Sequence, residues 1–235
     1  MNKVKKQPQL ICFTYAGGTA EFFNTIEPEL DGIEVVKLDY AGHGARHREA
    51  HYKSFDDLAV DMLREVKLRM RGKYALFGYS MGSITLVEVL KRIIVQRLPA
   101  PAHVFLAAHE PHTKLELRGF TSDELDEWVK KRTIDFGAVP EKLLNNKVFW
   151  RMYLPLYRAD YTIIGKYEFE KLDLKTEIPV DIFYSETDTP RQEMDLWRKY
   201  FRGDCEYHCY EGKHFFIQEH HSEMAAVIKR IINNG

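Results

Sequence analysis

Short apolar runs of five or six residues alternate along this chain with longer segments in which apolar side chains recur every three or four positions. The short runs predict β-strands, and the longer segments predict amphipathic helices. The predicted strands span residues 10–15, 34–38, 74–78, 103–108, 180–184 and 205–210. The predicted helices lie near residues 22–30, 55–69, 83–96, 191–200 and 219–232. This alternation is typical of an α/β domain with a mostly parallel sheet.

One long segment interrupts the alternation between the fourth and fifth predicted strands. Residues from about 121 to 169 predict consecutive helices, and Thr121 and Ser122 are candidate N-caps of the first one. Residues 143–157 are rich in large apolar side chains. A helical stretch between two strands of a parallel sheet predicts a lid, and an ordinary helical layer is the alternative. We expect one domain over residues 1–235, with the lid inserted at 112–176.

Composition excludes several classes of partner. The 235 residues are 45% hydrophobic and 29% charged, which is ordinary for a globular protein with a large core. The 34 basic and 35 acidic residues nearly balance, so neither nucleic acid nor an anionic membrane is expected as a partner. No run approaches the roughly 18 apolar residues of a membrane span. No apolar stretch follows the basic N-terminus as in a secretory signal, so the expected location is the cytoplasm.

The three cysteines, Cys12, Cys205 and Cys209, are too few and odd in number for a disulfide framework, which fits a reducing compartment. His208 lies between two of them and raises the alternative of a metal site. Their spacing differs from that of zinc ligands, and residues 205–210 alternate like a strand. Buried thiols are therefore the favoured interpretation, and no metal site is predicted.

The strongest chemical motif is Gly78-Tyr79-Ser80-Met81-Gly82, between a predicted strand and a predicted helix. A G-x-S-x-G sequence at such a junction is typical of a nucleophile elbow, a sharp turn that projects the serine hydroxyl clear of the sheet. The flanking glycines are needed because side chains there would collide with neighbouring backbone. The following helix favours developing negative charge at its N-terminus. A glycine-lined turn without catalysis is the alternative, because the five-residue pattern alone is weak.

A serine hydroxyl needs a base, and on this fold the acid and then the base follow the nucleophile along the chain. His214 is the best placed of the ten histidines, because it follows the strand at 205–210 through a short loop and precedes the last helix. His208 lies inside that strand. The other candidates begin a helix or precede the nucleophile, and they are His220, His221, His43 and His47.

Asp188 is the predicted acid, because it ends the run that begins at Val180, and active sites of parallel sheets lie at the carboxyl ends of strands. It would hold the His214 imidazole in one tautomer and stabilise the imidazolium. Asp181 is a rival at the start of the same strand, and Asp160 is a more distant one. A helix N-cap is the alternative role for Asp188.

The amide of Met81, the residue after the nucleophile, is the first predicted donor of an oxyanion hole. The second is the amide of Ala16, in a loop where glycines permit close approach of the backbone. A plain tight turn is the alternative for this loop. The residues expected to contact the substrate are Tyr15, Gly17, Tyr79 and Phe215.

Four further segments resemble motifs of the type II thioesterases that accompany nonribosomal peptide and polyketide synthases. They are 13–18 (Phe-Thr-Tyr-Ala-Gly-Gly), 40–44 (Tyr-Ala-Gly-His-Gly) with Arg46, 154–161 (Leu-Pro-Leu-Tyr-Arg-Ala-Asp-Tyr) and 212–216 (Gly-Lys-His-Phe-Phe). The resemblance extends from about Gln9 to the last helix. Four positions depart from the family pattern without removing a reacting group, and they are Ala41, Tyr79, Ser185 and Lys213.

The resemblance implies an α/β-hydrolase fold and a serine thioesterase that clears acyl, aminoacyl or peptidyl groups from the phosphopantetheine arm of a carrier protein. It implies no metal or bound cofactor, because the phosphopantetheine belongs to the carrier. Small acyl thioesters are also expected substrates, and a monomer is expected. A carboxylesterase or lipase with the same triad and a non-catalytic binding module are the alternatives. Because carrier proteins are usually acidic, the basic residues at 46–48 and 130–132 are candidate docking patches.

Overall fold

The structure, a computed structural model, describes residues 7–112 and 119–234, and within them six parallel strands form one sheet. The strands are β1 (Gln9–Phe13), β2 (Glu34–Leu38), β3 (Tyr74–Tyr79), β4 (His103–Ala107), β5 (Val180–Tyr184) and β6 (Cys205–Cys209). Their order across the sheet is β2-β1-β3-β4-β5-β6. All six carboxyl ends therefore lie along one edge of the sheet. The predicted strands are confirmed to within two residues at each end.

The helices among the described residues are α1 (Phe55–Arg69), α2 (Met81–Val95), α3 (Ser122–Asp135), α4 (Lys147–Gly165), α5 (Arg191–Met194) and α6 (Ile217–Asn234). α1 has the predicted bounds. It begins after Ser54, whose hydroxyl accepts a hydrogen bond from the amide of Asp57 and so caps the first turn. α2 begins two residues earlier than predicted, directly after the serine of the predicted elbow.

The sheet has a hydrophobic core on each face, because alternate residues of a strand point to opposite sides. On one face, Ile11 and Leu76 pack in a cluster with residues of α1, α2 and the helices between β4 and β5. On the other face, Leu10 and Phe77 pack with residues of α6 and of the segment after β1. The central strands are buried on both faces, which explains why their sequences are continuous apolar runs.

The helix predicted near residues 22–30 is wrong in type. This segment forms two 3-10 turns, Ala20–Thr25 and Glu27–Glu29. Pro28 has no amide to donate to the carbonyl four residues earlier, and its ring would collide with that carbonyl in a continuous α-helix. The segment therefore covers the sheet with short turns.

The helix predicted near residues 191–200 is also wrong over most of its length. The four-residue α5 is followed by a 3-10 turn, Asp195–Lys199. Met194, Trp197 and Tyr200 are all buried and recur at every third residue. This spacing places them on one side of a helix with three residues per turn, so apolar spacing alone did not distinguish the two helix types.

The segment between β4 and β5 contains α3 and α4, and we call residues 121–165 the helical insertion. Thr121 and Glu124 form a capping box at the start of α3, which confirms Thr121 as the N-cap, whereas Ser122 is the first helical residue. The predicted lid boundaries, 112–176, include residues 113–118, which lie outside the described residues. The division of the chain into a domain and a lid stays a prediction.

All three cysteines are free thiols. Cys12 is buried in β1, and burial raises the pKa of its thiol. Cys205 is half-buried and Cys209 is exposed, so the prediction of buried thiols is wrong for Cys209. The reason is that β6 is an edge strand with a neighbour on one side only. Within residues 7–112 and 119–234, no helix has the length and apolar character needed to span a bilayer.

Candidate active site

Ser80 lies at the carboxyl end of β3, in the turn that leads into α2. Its backbone has φ 54° and ψ −120°, a conformation that non-glycine residues rarely adopt, and its amide donates to the carbonyl of Ala107 at 2.8 Å. A Cβ atom at Gly78 would lie 2.4 Å from the Gly82 carbonyl oxygen, and one at Gly82 would lie 2.0 Å from the Phe13 carbonyl oxygen. The two glycines therefore permit the close backbone packing that holds this strained turn.

The structure brings together the three residues that sequence analysis predicted as nucleophile, base and acid. His214 Nε2 lies 2.9 Å from Ser80 Oγ, and His214 Nδ1 lies 2.8 Å from Asp188 Oδ2. A carboxylate only accepts hydrogen bonds, so Nδ1 holds the ring proton and Nε2 is left to accept the serine proton. The side chains of His214 and Asp188 are only 6% and 9% exposed. This arrangement is the one that serine hydrolases use.

The loops after β5 and β6 are joined by side-chain hydrogen bonds. The hydroxyls of Ser185 and Thr187 both donate to the carbonyl of Gly212, two residues before His214. A glycine at position 185 could not make this bond, because it has no hydroxyl group. From β3, the hydroxyl of Tyr79 donates to the carbonyl of His214 at 2.7 Å. Burial raises the pKa of the Tyr79 phenol well above its usual value, so the phenol remains a donor.

The two rival acids lie in other clusters. Asp181 accepts hydrogen bonds from His103 Nε2 at 2.7 Å and from His208 Nε2 at 2.5 Å, near the amino end of β5. That end is at the opposite edge of the sheet from the nucleophile. Asp160 lies on α4 and accepts a hydrogen bond from His43 at 2.9 Å. In the described chain, the only one of the three carboxylates that contacts the predicted base is therefore that of Asp188.

Ala16 and Met81, the predicted donors of the oxyanion hole, lie in the turn after β1 and at the first position of α2. Ala16 lines the same cavity as Ser80. Among the described residues, neither amide is paired with an acceptor, which leaves both available to a bound oxygen. Their role as oxyanion donors stays a prediction that the local backbone permits.

A cavity of about 640 Å³ opens at Ser80 and His214. The loops after β1, β4, β5 and β6 form part of its wall, and the helical insertion forms the rest. Tyr15 and Phe215, two of the residues predicted to contact the substrate, line this cavity. The other two do not. Tyr79 is fully buried and holds the His214 backbone, while the amide of Gly17 donates to a carboxylate of α4.

Phe136 and His109 line the cavity near Ser80 and His214 and were not predicted from the sequence. Phe136, which follows α3, stacks on the His214 ring with 4.1 Å between centroids and 15° between planes. The Arg132 guanidinium lies 4.2 Å from the centroid of the same phenyl ring. His109 lines the cavity, and burial lowers the pKa of its imidazole. No local sequence pattern distinguishes Phe136 from a core residue, because its partner lies in another loop.

The metal alternative for the cysteine segment gains no support from the structure. His208 is bound to Asp181, and Cys209 is exposed. Across residues 7–112 and 119–234, no group of three or more histidine, cysteine or acidic side chains is arranged to hold a metal ion. The expectation that the protein needs no cofactor stays a prediction.

The family model for the thioesterase domain matches residues 8–234. The chain belongs to the thioesterase family. This family member is 27% identical over 221 residues to the medium-chain S-acyl fatty acid synthase thioesterase of Rattus norvegicus, a match that covers 92% of this chain and 83% of the relative.

Solved thioesterases share the fold. RedJ, a thioesterase from the prodiginine pathway of Streptomyces coelicolor, has a TM-score of 0.83 at 26% identity, covering 96% of this chain and 85% of RedJ. The type II thioesterase BorB from the borrelidin biosynthetic cluster has a TM-score of 0.82 at 25% identity, covering 97% of this chain and 93% of BorB. The predicted resemblance to type II thioesterases and the predicted α/β-hydrolase fold are confirmed.

Proposed function

We propose that this protein hydrolyses acyl thioesters on the phosphopantetheine arm of a carrier protein, and so clears stalled or wrongly primed groups from a nonribosomal peptide or polyketide synthase. The observation that supports this most directly is the contact of His214 with both Ser80 and Asp188, in a chain of the thioesterase family. RedJ and BorB come from a biosynthetic pathway and a biosynthetic cluster, which supports a role beside a synthase.

In the first half of the reaction, Ser80 Oγ attacks the thioester carbonyl carbon while His214 Nε2 takes the serine proton. Asp188 stabilises the imidazolium that forms. The tetrahedral intermediate then collapses, the carbon–sulfur bond breaks, and the imidazolium gives its proton to the departing pantetheine sulfur. The acyl group is left as an ester on Ser80.

In the second half, a water molecule takes the place of the thiol. His214 removes a proton from this water as it attacks the acyl-enzyme carbonyl, and then returns the proton to Ser80 Oγ as the ester bond breaks. The free acid leaves the cavity. In both halves the amides of Ala16 and Met81 donate to the negatively charged oxygen, and the N-terminus of α2 adds a favourable dipole.

An oxygen ester would react through the same steps, because the His214 imidazolium can protonate a departing alkoxide oxygen as it protonates the sulfur. Membership of the thioesterase family favours the thioester. A non-catalytic module would not require the strained serine conformation, which costs about 1–3 kcal/mol to maintain. Both alternatives are therefore less well supported than thioester hydrolysis.

The substrate class is tested by offering one acyl group as a carrier-bound thioester, a free pantetheine thioester and an oxygen ester. We expect kcat/KM to be highest for the carrier-bound form, because only that form adds a protein contact to the same chemistry. Release of the free acid is measured by mass spectrometry. Faster turnover of the oxygen ester than of the carrier-bound thioester would identify the protein as an esterase instead.

The basic residues at the C-terminal half of α3 are the better candidate for the carrier contact. Arg132 lines the catalytic cavity, and its neighbour Lys131 is exposed. Both patches contain an ion-paired residue, since Lys130 is bound to Glu127, and Arg46 to Glu49 and Asp61. The position of Arg132 at the cavity is what favours the α3 residues. An acidic carrier docked near Arg132 would have its arm next to the cavity entrance.

Reversing charge at Lys130 and Lys131 is expected to raise KM for the carrier-bound thioester about tenfold, because the rate and affinity of association depend on complementary charge. Turnover of the free pantetheine thioester should stay within about twofold. Arg132 is left unchanged, because it contacts Phe136 and its loss would disturb the triad itself. Lys67→Glu on the exposed side of α1 is the matched control. Equal losses on both substrates would contradict docking at this surface.

A further inference from the structure

The loop of the proposed oxyanion hole is bound to the helical insertion through one buried carboxylate. Gly17 directly follows Ala16, and its amide donates a 2.7 Å hydrogen bond to Asp160 Oδ2. Asp160 lies on α4, 143 residues further along the chain, and is only 2% exposed. The amides of Ala16 and Gly17 belong to consecutive peptide units that meet at the Ala16 Cα. Holding one amide therefore restricts the direction of the other.

The same carboxylate oxygen accepts a second hydrogen bond from the loop after β2. His43 Nε2 lies 2.9 Å from Asp160 Oδ2, and His43 Nδ1 lies 3.1 Å from the carbonyl of Ala41. A ring that makes both of these hydrogen bonds donates through both nitrogens and is then positively charged. Burial alone would lower the pKa of His43, but the adjacent Asp160 carboxylate raises it. The His43 ring and the Gly17 amide together give the buried carboxyl group of Asp160 the hydrogen-bond partners that a buried polar group needs.

α4 also covers the same glycine with an aromatic ring. Tyr157 precedes Asp160 by three residues, so both side chains lie on one face of the helix. A Cβ atom at Gly17 would lie 2.0 Å from Tyr157 Cε1. Gly17 has a φ of 77°, which glycine adopts without steric cost. The loop therefore approaches α4 as closely as a backbone without a side chain allows.

The two ends of the loop are anchored elsewhere. The hydroxyl of Tyr40 donates to the Thr14 carbonyl at 2.9 Å, and the amide of Ala20 donates to Asp39 at 2.7 Å. Both partners belong to the end of β2 and the loop that follows it. Within the loop, the Gly18 amide donates to the Tyr15 carbonyl at 3.0 Å and closes a turn. In the part of the chain that the structure describes, the only hydrogen bond between the backbone of this turn and the helical insertion is that of Gly17. The middle of the loop thus depends on α4.

We infer that Asp160 is a positioning residue for the oxyanion hole, which it aligns by holding the Gly17 amide while His43 holds the carboxylate. This inference rests on the proposed function. The position of α4 would then affect the rate of the chemical step, because displacing the Asp160 carboxylate would turn the Ala16 amide away from the reacting oxygen. An acyl group that fits poorly under α4 would therefore be hydrolysed slowly even when it binds.

The test compares Asp160→Ala and Asp160→Asn on a small free acyl thioester. We expect Asp160→Ala to lower kcat about 10- to 100-fold with KM within about threefold. The reason is that a misaligned amide stabilises the transition state less well but hardly changes the binding of the ground-state substrate. A trifluoromethyl ketone analogue, whose hydrated or serine-bound oxygen occupies the hole, should lose affinity by a similar factor. Asp160→Asn retains an acceptor oxygen and should recover most of both losses.

Asp181→Asn is the matched control, since Asp181 is also a buried carboxylate that accepts from two histidines. It should lower the Tm while leaving kcat and inhibitor affinity unchanged, so a general effect of losing a buried charge is separated from misalignment. A loss of kcat in Asp160→Ala without any loss of inhibitor affinity would overturn the inference. Unchanged kcat in a folded Asp160→Ala would do the same.

Nuclear magnetic resonance of the Gly17 amide provides a readout that does not depend on activity. In the wild type this proton should resonate downfield and exchange slowly. Both properties should be partly reduced in Asp160→Asn, because an amide oxygen is a weaker acceptor than a carboxylate oxygen. Identical Gly17 resonances in the two proteins would refute the inference. A wild type that hydrolyses no thioester would refute the proposed function, while leaving this measurement to decide the role of Asp160.

Discussion

Replacing Ser80 with alanine is expected to lower kcat for thioester hydrolysis by about 10⁶-fold, as removal of the nucleophile does in a serine protease. The oxyanion donors and the cavity remain, so the residual rate should still exceed that of the uncatalysed reaction. The Tm should change little, because alanine meets the same backbone constraint at φ 54° as serine does. Single-turnover release of the free acid, measured by mass spectrometry, gives the rate.

A fluorophosphonate probe supplies the control for this variant. It should modify Ser80 in the wild type and leave Ser80→Ala unmodified at the corresponding peptide. Ser83 lies in the first turn of α2, and its hydroxyl donates to the Gly78 carbonyl at 2.9 Å. Ser83→Ala should therefore still be modified at Ser80. Hydrolysis by Ser80→Ala at more than about 1% of the wild-type rate would show that another group attacks the thioester.

Asp188→Asn is expected to lower kcat by about 10⁴-fold with little change in KM. The asparagine amide can direct its N–H₂ group at His214 Nδ1, which then accepts and leaves the ring proton on Nε2. An imidazole in that tautomer cannot take the proton of Ser80. Steady-state kinetics on the free thioester measure the loss, and a Tm close to that of the wild type shows that the fold is retained.

Asp181→Asn distinguishes the two candidate acids. Burial would raise the pKa of the Asp181 carboxyl, but hydrogen bonds from His103 and His208 lower it overall, so the ionised form stabilises the folded state. The asparagine variant should therefore lose stability and keep its kcat. A 10⁴-fold loss of kcat in Asp181→Asn, with normal activity in Asp188→Asn, would reverse the assignment of the acid.

Much of the fold was predictable because its elements have strong local patterns. The predicted bounds of α1 are correct, since Leu58, Met62 and Val66 recur at helical spacing and Ser54 caps the first turn. The failures have physical causes that apolar spacing does not encode. Pro28 prevents a continuous α-helix over residues 22–30. The apolar spacing of residues 191–200 fits either an α-helix or a 3-10 turn.

The contacts of His214 with Ser80 and Asp188 were predictable because the three residues follow strands whose carboxyl ends share one edge of the sheet, and because the elbow is a local sequence motif. The supporting contacts were not. The bond from Tyr79 to His214 joins residues 135 positions apart, and the bond from Gly17 to Asp160 spans 143. Asp160 was predicted as a rival acid and as part of the motif at 154–161, but no single segment indicates that its partners lie after β1 and β2. Such contacts depend on how α4 packs on the sheet.

His214, the proposed base, lies in the loop after β6, which is the most solvent-exposed strand of the sheet. β6 pairs with β5 alone, and its residues are half-buried or exposed. Hydrogen bonds at such a border open more easily than those in the interior. Local fraying there would carry His214 away while Ser80 stays fixed on β3 at the centre. Inactivation by heat or denaturant can therefore begin as a reversible, partial event that precedes collapse of the core.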